Sequence, residues 1–175
     1  YRKIEDPEHR EILQLLKNLV KDSISQIREI SNNLTPNVIE KYGLVAAINS
    51  EIDSIKLIVP VSFEHHIDNE RFDSKIEISI YRIIKELLNN TKKYAEAENV
   101  EITINKSSKL IFITYYDNGI GFNLKMKLKT GDLGMGLLNI ESRVKAMRGK
   151  FFMKSDPSKG FMFSMEIPIN SKIVR

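Results

Sequence analysis

Three short stretches of this sequence combine residue types that could do chemistry. In the first, Arg82, Glu86, Asn90 and Lys93 recur at spacings of four, four and three. On a helix turning about 100° per residue they share one narrow stripe, with Ile80, Ile84, Leu87, Leu88 and Ala95 on the other side. Such a stripe suits the solvent face of an ordinary amphipathic helix. It also suits a magnesium-phosphate site: Asn90 offers Mg²⁺ a hard carbonyl oxygen, Lys93 faces phosphate, and Glu86 orients or deprotonates a nucleophile. The second stretch is Asp117-Asn118-Gly119-Ile120-Gly121-Phe122. A carboxylate at a strand end followed by two glycines lets the backbone approach a flat ligand while the Asp accepts a hydrogen bond from it. Taken alone, Asp-Asn-Gly is also common turn chemistry. The third is Gly131-Asp132-Leu133-Gly134-Met135-Gly136-Leu137, directly before a helix, where free backbone amides and the helix dipole favour anions. It is neither a P-loop nor part of a βαβ unit.

The elements that must position these stretches follow from periodicity. Asp73 caps a strongly patterned helix running to about Ala97. Val61 to Ile67 reads as a strand. Val100, Ile102 and Ile104 alternate with polar residues, and Lys106-Ser107-Ser108-Lys109 turns into an apolar strand from Leu110 to Tyr116. A helix after Gly136 carries Leu137, Ile140, Val144 and Met147 on one side and stops at Gly149. Phe151 to Lys154 and Phe161 to Ile169 form a closing hairpin. Upstream, Leu13, Val20, Ile27 and Leu34 recur every seven residues, with Leu16 and Ile30 between, and Asp6 and Pro7 suit the start of a long helix. The breadth of that stripe fits a helical bundle. Thr35-Pro36-Asn37 should break this helix, and Tyr42-Gly43 punctuates again before a helix from Leu44 to about Lys56. The expected architecture is α+β: a two-layer α/β sandwich, a mixed sheet with helices on one face, preceded by a long helix of a truncated dimerisation bundle.

Composition narrows the function classes. With 175 residues, 42% hydrophobic and 29% charged, the chain can bury a core and is no disordered or fibrous polymer. Zero cysteines exclude a disulfide framework, a thiolate metal site and a thiol nucleophile. No apolar run exceeds five residues, so no membrane span or signal core is expected. The net charge of +4 is concentrated in residues 123 to 159, which hold nine Lys or Arg against three acidic residues. Because that window also holds Gly131, Gly134 and Gly136, it points to phosphate rather than to nucleic acid, with a solvated lysine face as the plainer reading.

The three stretches in this order resemble the N box and the two glycine boxes of the ATPase superfamily that contains sensor histidine kinases, gyrase, Hsp90 and MutL. Within it the sequence is most similar to histidine kinases of the nitrate-sensor and desaturase-thermosensor class. The resemblance rests on Glu86, Asn90, Lys93, Tyr94 and Ala95, and on Gly134-Met135-Gly136-Leu137 leading into Asn139-Ile140-Glu141-Ser142-Arg143-Val144. It extends upstream to Leu34-Thr35-Pro36 and Gly43-Leu44-Val45-Ala46-Ala47-Ile48, and so covers essentially the whole chain. It implies that Asn90 binds Mg²⁺, that Asp117 pairs with the adenine amine of ATP, and that Gly119 and Gly121 bed the purine. Lys93, Tyr94 and Leu137 join the nucleotide site, Gly134 and Gly136 close a lid over the phosphates, and Glu86 assists phosphoryl transfer to a histidine. The sequence departs from the family pattern in two places: Tyr94 stands where His is usual, and Phe161 stands where Thr or Ser often helps hold adenine. The stretch between Phe122 and Gly131 is also short for a lid.

The resemblance further implies residues 1–40 as a partial dimerisation and phosphotransfer helix and 41–175 as the ATP-binding catalytic domain. The acceptor histidine is expected outside this sequence, which begins at Tyr1 rather than Met and reads as a fragment. His9, followed by Arg10, suits a helix-start surface position, and the adjacent His65 and His66 would point to opposite faces of a strand, which is poor metal geometry. The implied partners are a response regulator receiver domain and a second copy of the chain, with no nucleic acid. The implied location is cytoplasmic, with any membrane anchor outside this sequence. Two alternatives stand beside the kinase: a serine kinase of the anti-sigma-factor type, disfavoured by the leading helix, and a degenerate nucleotide-binding or dimerisation module without turnover.

Overall fold

The computed structural model describes residues 36–67 and 70–169, with Leu16 and Val20 standing alone before them, each helical. The remainder of the heptad stripe, Asp6, Pro7, His9 and Thr35 lie outside the described residues. The chain divides into Tyr1–Asn37 and Val38–Arg175, and the second unit holds all three candidate stretches.

Helix α1, Pro36–Ile55, is interrupted at Gly43, whose φ of 82° and ψ of 176° no helix accommodates. This is the punctuation expected at Tyr42-Gly43. The break deprives the carbonyls of Ile39 and Glu40 of amide partners one turn on. Arg71 supplies replacements: its Nη2 donates to Ile39 O and its Nη1 to Glu40 O, both at 3.0 Å. The same guanidinium rests on Glu77, which is 0% exposed, with Nε donating to Oε1 and Nη2 to Oε2, both at 3.1 Å. The Phe72 amide also donates to Glu77 Oε1 at 2.9 Å, so the buried charge has a full set of donors. The carboxylate in turn raises the Arg71 pKa.

Helix α2, Ser74–Asn90, begins where the sequence placed its cap: Asp73 accepts from the Lys75 amide at 2.9 Å. It does not continue to Ala97. A π-helical turn, Thr91–Ala95, follows, and Glu96 at φ 51° ends it. Strands β1 (Val61–His65), β2 (Val100–Lys106), β3 (Leu110–Asp117), β4 (Lys150–Ser155) and β5 (Phe161–Pro168) form one sheet in the order β1-β2-β3-β5-β4. β1 and β2 are parallel and the other pairings antiparallel, so the sheet is mixed as expected. Alternation sorts its faces: Ile102, Ile104, Ile111, Ile113, Phe163, Met165 and Ile167 are buried, while Glu101, Thr114, Met162 and Glu166 are exposed. The buried face shares one core with Ile48, Ile52 and Ile55 of α1, Ile80, Ile84 and Leu87 of α2, and Ile140 and Val144 of a later helix. A short helix that the sequence reading did not anticipate, α3, spans Leu124–Thr130 and is capped by Asn123, whose Oδ1 accepts from the Met126 amide at 2.9 Å. That later helix, α4, spans Met135–Ala146.

Removing Arg71 leaves the Glu77 charge buried with one donor fewer on each oxygen. Arg71→Ala should therefore lower unfolding free energy by about 2 kcal/mol in a denaturant titration, the guanidinium's partial exposure moderating the loss. A change within 0.5 kcal/mol, about the scatter of surface substitutions, would show that the pair contributes nothing to holding α1 against α2.

Candidate functional site

Asp117 ends β3 with 3% of its surface exposed. Its Oδ1 accepts from the Gly119 amide and its Oδ2 from the Thr91 hydroxyl, both at 3.1 Å. Burial pushes the Asp117 pKa up, and the donors at Gly119, Thr91 and the Phe161 amide work against that rise. Thr91 belongs to the π turn, and its hydroxyl also lies 2.6 Å from the hydroxyl of Tyr115, two residues back on the same strand. Three elements thus meet on one carboxylate.

The loop after Asp117 is fitted to its neighbours by backbone contact. Ile120 N–H donates to Ala95 O at 2.7 Å, and a Cβ on Gly119 would sit on that same carbonyl oxygen. Asn118 Oδ1 accepts the Glu98 and Asn99 amides at 2.9 Å each. On the other side Ser155, buried in β4, donates to Gly160 O at 2.7 Å and accepts from the Phe122 amide at 3.0 Å. A Cβ on Gly121 would strike the Asp156 and Gly160 carbonyls, and one on Gly160 would strike that of Asp117. These glycines let three pieces of main chain approach closely, so their first task is structural. The Phe161 ring, 8% exposed, stacks on Phe122 at 5.8 Å, and Lys127 of α3 lies over Phe122 at 5.4 Å.

At the other end of the site, the first turn of α4 lies over α2. A Cβ built on Gly136 would meet the Glu86 carboxylate, with Asn90 Nδ2 at 3.5 Å. Glu86, Asn90 and Gly136, fifty residues apart in sequence, are therefore neighbours. Gly134 precedes α4 with φ 79° and no side-chain cap, so the opening amides of α4 are not closed by a hydroxyl or carboxylate from the cap residue. Lys93 and Tyr94 lie on the π turn, both exposed, Tyr94 at 69%. An α-helical stripe through Lys93 assumed about 100° per residue, and the wider π turn rotates Lys93 away from Asn90. Leu137 packs half-buried against the core.

Thr91, Tyr115, Ser155 and Gly160 were not singled out by the sequence. Thr91 had a usable signal: it lies four residues after Leu87 and three after Leu88, a hydroxyl on the apolar side of a helix that must find a partner. The two kinds of glycine predict different costs. Gly119→Ala, crowded by main chain, should destabilise the domain by about 1 to 3 kcal/mol. Gly134→Ala, with nothing within 4 Å of its Cβ, should cost only the positive-φ penalty of about 1 kcal/mol. Equal midpoints for the two variants in thermal unfolding would refute the close-approach account of Gly119.

The family described as histidine kinase-, DNA gyrase B-, and HSP90-like ATPase matches residues 75–171. Among curated proteins, the signal transduction histidine-protein kinase/phosphatase DegS of Brevibacillus brevis is 28% identical over 159 residues, covering 90% of this chain and 40% of its own length. The oxygen sensor histidine kinase NreB of Staphylococcus carnosus (strain TM300) is 28% identical over 160 residues, covering 88% of this chain and 44% of its own. The chain spans less than half of each of these relatives. A solved histidine kinase domain of the blue-light activated histidine kinase of Erythrobacter litoralis EL346 superposes with a TM-score of 0.62 at 14% identity, over 90% of this chain and 87% of that one, and shows the same fold. With the matched segment running from the first turn of α2 to just past β5, and so containing every element that meets at Asp117 and at Glu86, the chain belongs to the histidine kinase-, DNA gyrase B- and HSP90-like ATPase family.

Proposed function

We propose that residues 41–175 are the ATP-binding catalytic domain of a two-component sensor histidine kinase, and that residues 1–40 belong to its dimerisation bundle. The observation that carries this reading is the meeting of Glu86, Asn90 and the α4 amino end at Gly136, one strand-end away from the buried acceptor Asp117. One carboxamide and one carboxylate form the donor set Mg²⁺ favours, since it takes one or two protein oxygens and completes its shell with phosphate and water. Asn90 would hold the ion, which supplies charge neutralisation between the phosphates. The opening amides of α4 and the exposed Lys93 face the triphosphate, while Asp117 accepts from the adenine amine. Glu86 takes the proton of an attacking imidazole, and the site's remaining work is alignment.

The acceptor on this reading is neither His65 nor His66. His65 pairs with Ile104 at the far end of β2, whereas Asp117 pairs with Val100 at its start. Four residues of strand put them about 13 Å apart along the sheet. The phosphoryl group passes from an acceptor histidine to an aspartate of a response regulator, and the kinase works as a homodimer anchored, where it is anchored, by segments outside this sequence. A module that binds without turnover is favoured by one observation, the burial of Phe161 against Phe122 where a hydroxyl would otherwise reach the purine.

Calorimetric titration with ADP, with and without Mg²⁺, separates these readings. The wild-type chain should bind with a magnesium-dependent gain in affinity, and Asn90→Ala should remove most of that gain while circular dichroism stays unchanged, because a helix tolerates Ala well. Supplied in trans with an acceptor-helix fragment and γ-labelled ATP, the chain should label that fragment, and Glu86→Gln should slow labelling by about tenfold or more with affinity little altered. Binding without labelling of any acceptor fragment would favour the inert module. Absence of nucleotide binding would overturn both.

A further inference from the structure

The hydroxyls of Thr91 and Tyr115 are buried, stand in line behind Asp117, and have no part in the mechanism above. Tyr115 OH lies 2.6 Å from Thr91 Oγ1 and 3.3 Å from Leu87 O, and Thr91 Oγ1 lies 3.1 Å from Asp117 Oδ2. Each hydroxyl has a single proton, so the chain has two directions. With Asp117 ionised, Tyr115 donates to Thr91 and Thr91 donates to the carboxylate. With Asp117 protonated, the chain reverses: Asp117 donates to Thr91, Thr91 to Tyr115, and Tyr115 to the Leu87 carbonyl. The first direction places a donor on the charge; the second uses the acid's proton internally.

We propose that Thr91, backed by Tyr115, is a positioning residue that holds Asp117 as a hydrogen-bond acceptor, and that through it the site prefers a 6-amino to a 6-oxo purine. The proposal rests on the reading of Asp117 as the adenine partner. An ionised carboxylate can only accept, which suits an exocyclic amine and repels a carbonyl oxygen; a neutral carboxyl can donate and loses that distinction. Thr91 presents the deciding donor because the π turn carries it inward, while its chain neighbour Asn90 faces α4. The other groups on Asp117 are the Gly119 amide from the loop and the Phe161 amide from β5, and neither titrates. Tyr115 is the titratable neighbour, and burial keeps it neutral through the physiological range. Val100 faces Asp117 from β2 without charge. Because burial raises the Asp117 pKa, affinity for the amino purine should fall with acidification above the ordinary carboxylate range, and loss of the Thr91 donor should move that fall to still higher pH.

The test compares ADP with inosine diphosphate across pH 5 to 8 for wild type, Thr91→Val, Thr91→Ser and Tyr115→Phe. A carbon-13 titration of the Asp117 carboxyl in the ligand-free chain accompanies it. Wild type should prefer ADP. Thr91→Val should narrow that preference by about tenfold and raise the carboxyl midpoint by about one unit; Thr91→Ser should restore both, and Tyr115→Phe should shift both in the same direction by less. An unchanged preference and midpoint in a folded Thr91→Val chain would overturn the proposal and make the two hydroxyls core filling. A wild type that binds neither nucleotide overturns the kinase reading and the discrimination with it. Tight ADP binding whose preference vanishes in Asp117→Asn but survives in Thr91→Val overturns the role of Thr91 alone.

Discussion

The carboxylate of Asp117 lies almost wholly buried at the end of the central strand, where an unpartnered charge would cost several kcal/mol. Each of its donors comes from a different element: Thr91 from the π turn after α2, Gly119 from the following loop, Phe161 from β5. Satisfying one charge from three directions requires the three backbones to crowd together. Gly119 lies on the Ala95 carbonyl and Gly160 on that of Asp117 for this reason, and Ser155 fastens Phe122 to Gly160 on the outer side. The geometry of this end of the sheet follows from placing a charge where water does not reach.

A second buried carboxylate performs the equivalent task at the opposite end of α2. Glu77 is fully enclosed and takes donors from Arg71 and the Phe72 amide, while Arg71 spends its remaining donors on the carbonyls exposed by the Gly43 break. Further along the same helix, the Tyr81 hydroxyl and Lys85 Nζ both donate to Glu51 of α1, the latter at 2.8 Å. α2 is thus held to α1 by two ion-paired clusters at its start and middle, and to Asp117 at its end. Glu86 and Asn90 occupy the stretch between fixed points, which limits how far either can drift from α4.

Much of this arrangement was legible in the sequence where one local signal decides the outcome. The Asp73 cap, the break at Gly43, the alternating β2 and β3 and the closing hairpin all follow from side-chain pattern or turn chemistry within a few residues. α3 was missed because its apolar positions are few; Leu124 alone is buried, and Lys125, Lys127 and Lys129 suggest a loop as readily as a helix. The ion pair of Arg71 with Glu77 was missed because two charges six residues apart look like surface until burial is known. Glu86, Asn90 and Asp117 were legible as chemistry, yet their spacing along one helix wrongly kept Lys93 in line, since nothing local announces a π turn.

That turn is also what lets neighbouring residues serve two sites. In a continuous α-helix the positions after Asn90 would advance by about 100° each, and holding Asn90 toward α4 fixes where Thr91 and everything beyond it must point. The extra residue in the turn at Thr91–Ala95 relaxes that constraint. Thr91 then reaches Asp117, Ala95 presents its carbonyl to Ile120, and Lys93 is released to the surface. The phosphate end and the purine end of the site are joined through a single peptide bond, between Asn90 and Thr91. A straighter helix would have kept the stripe that the sequence promised, but it would have left the buried carboxylate without its hydroxyl donor.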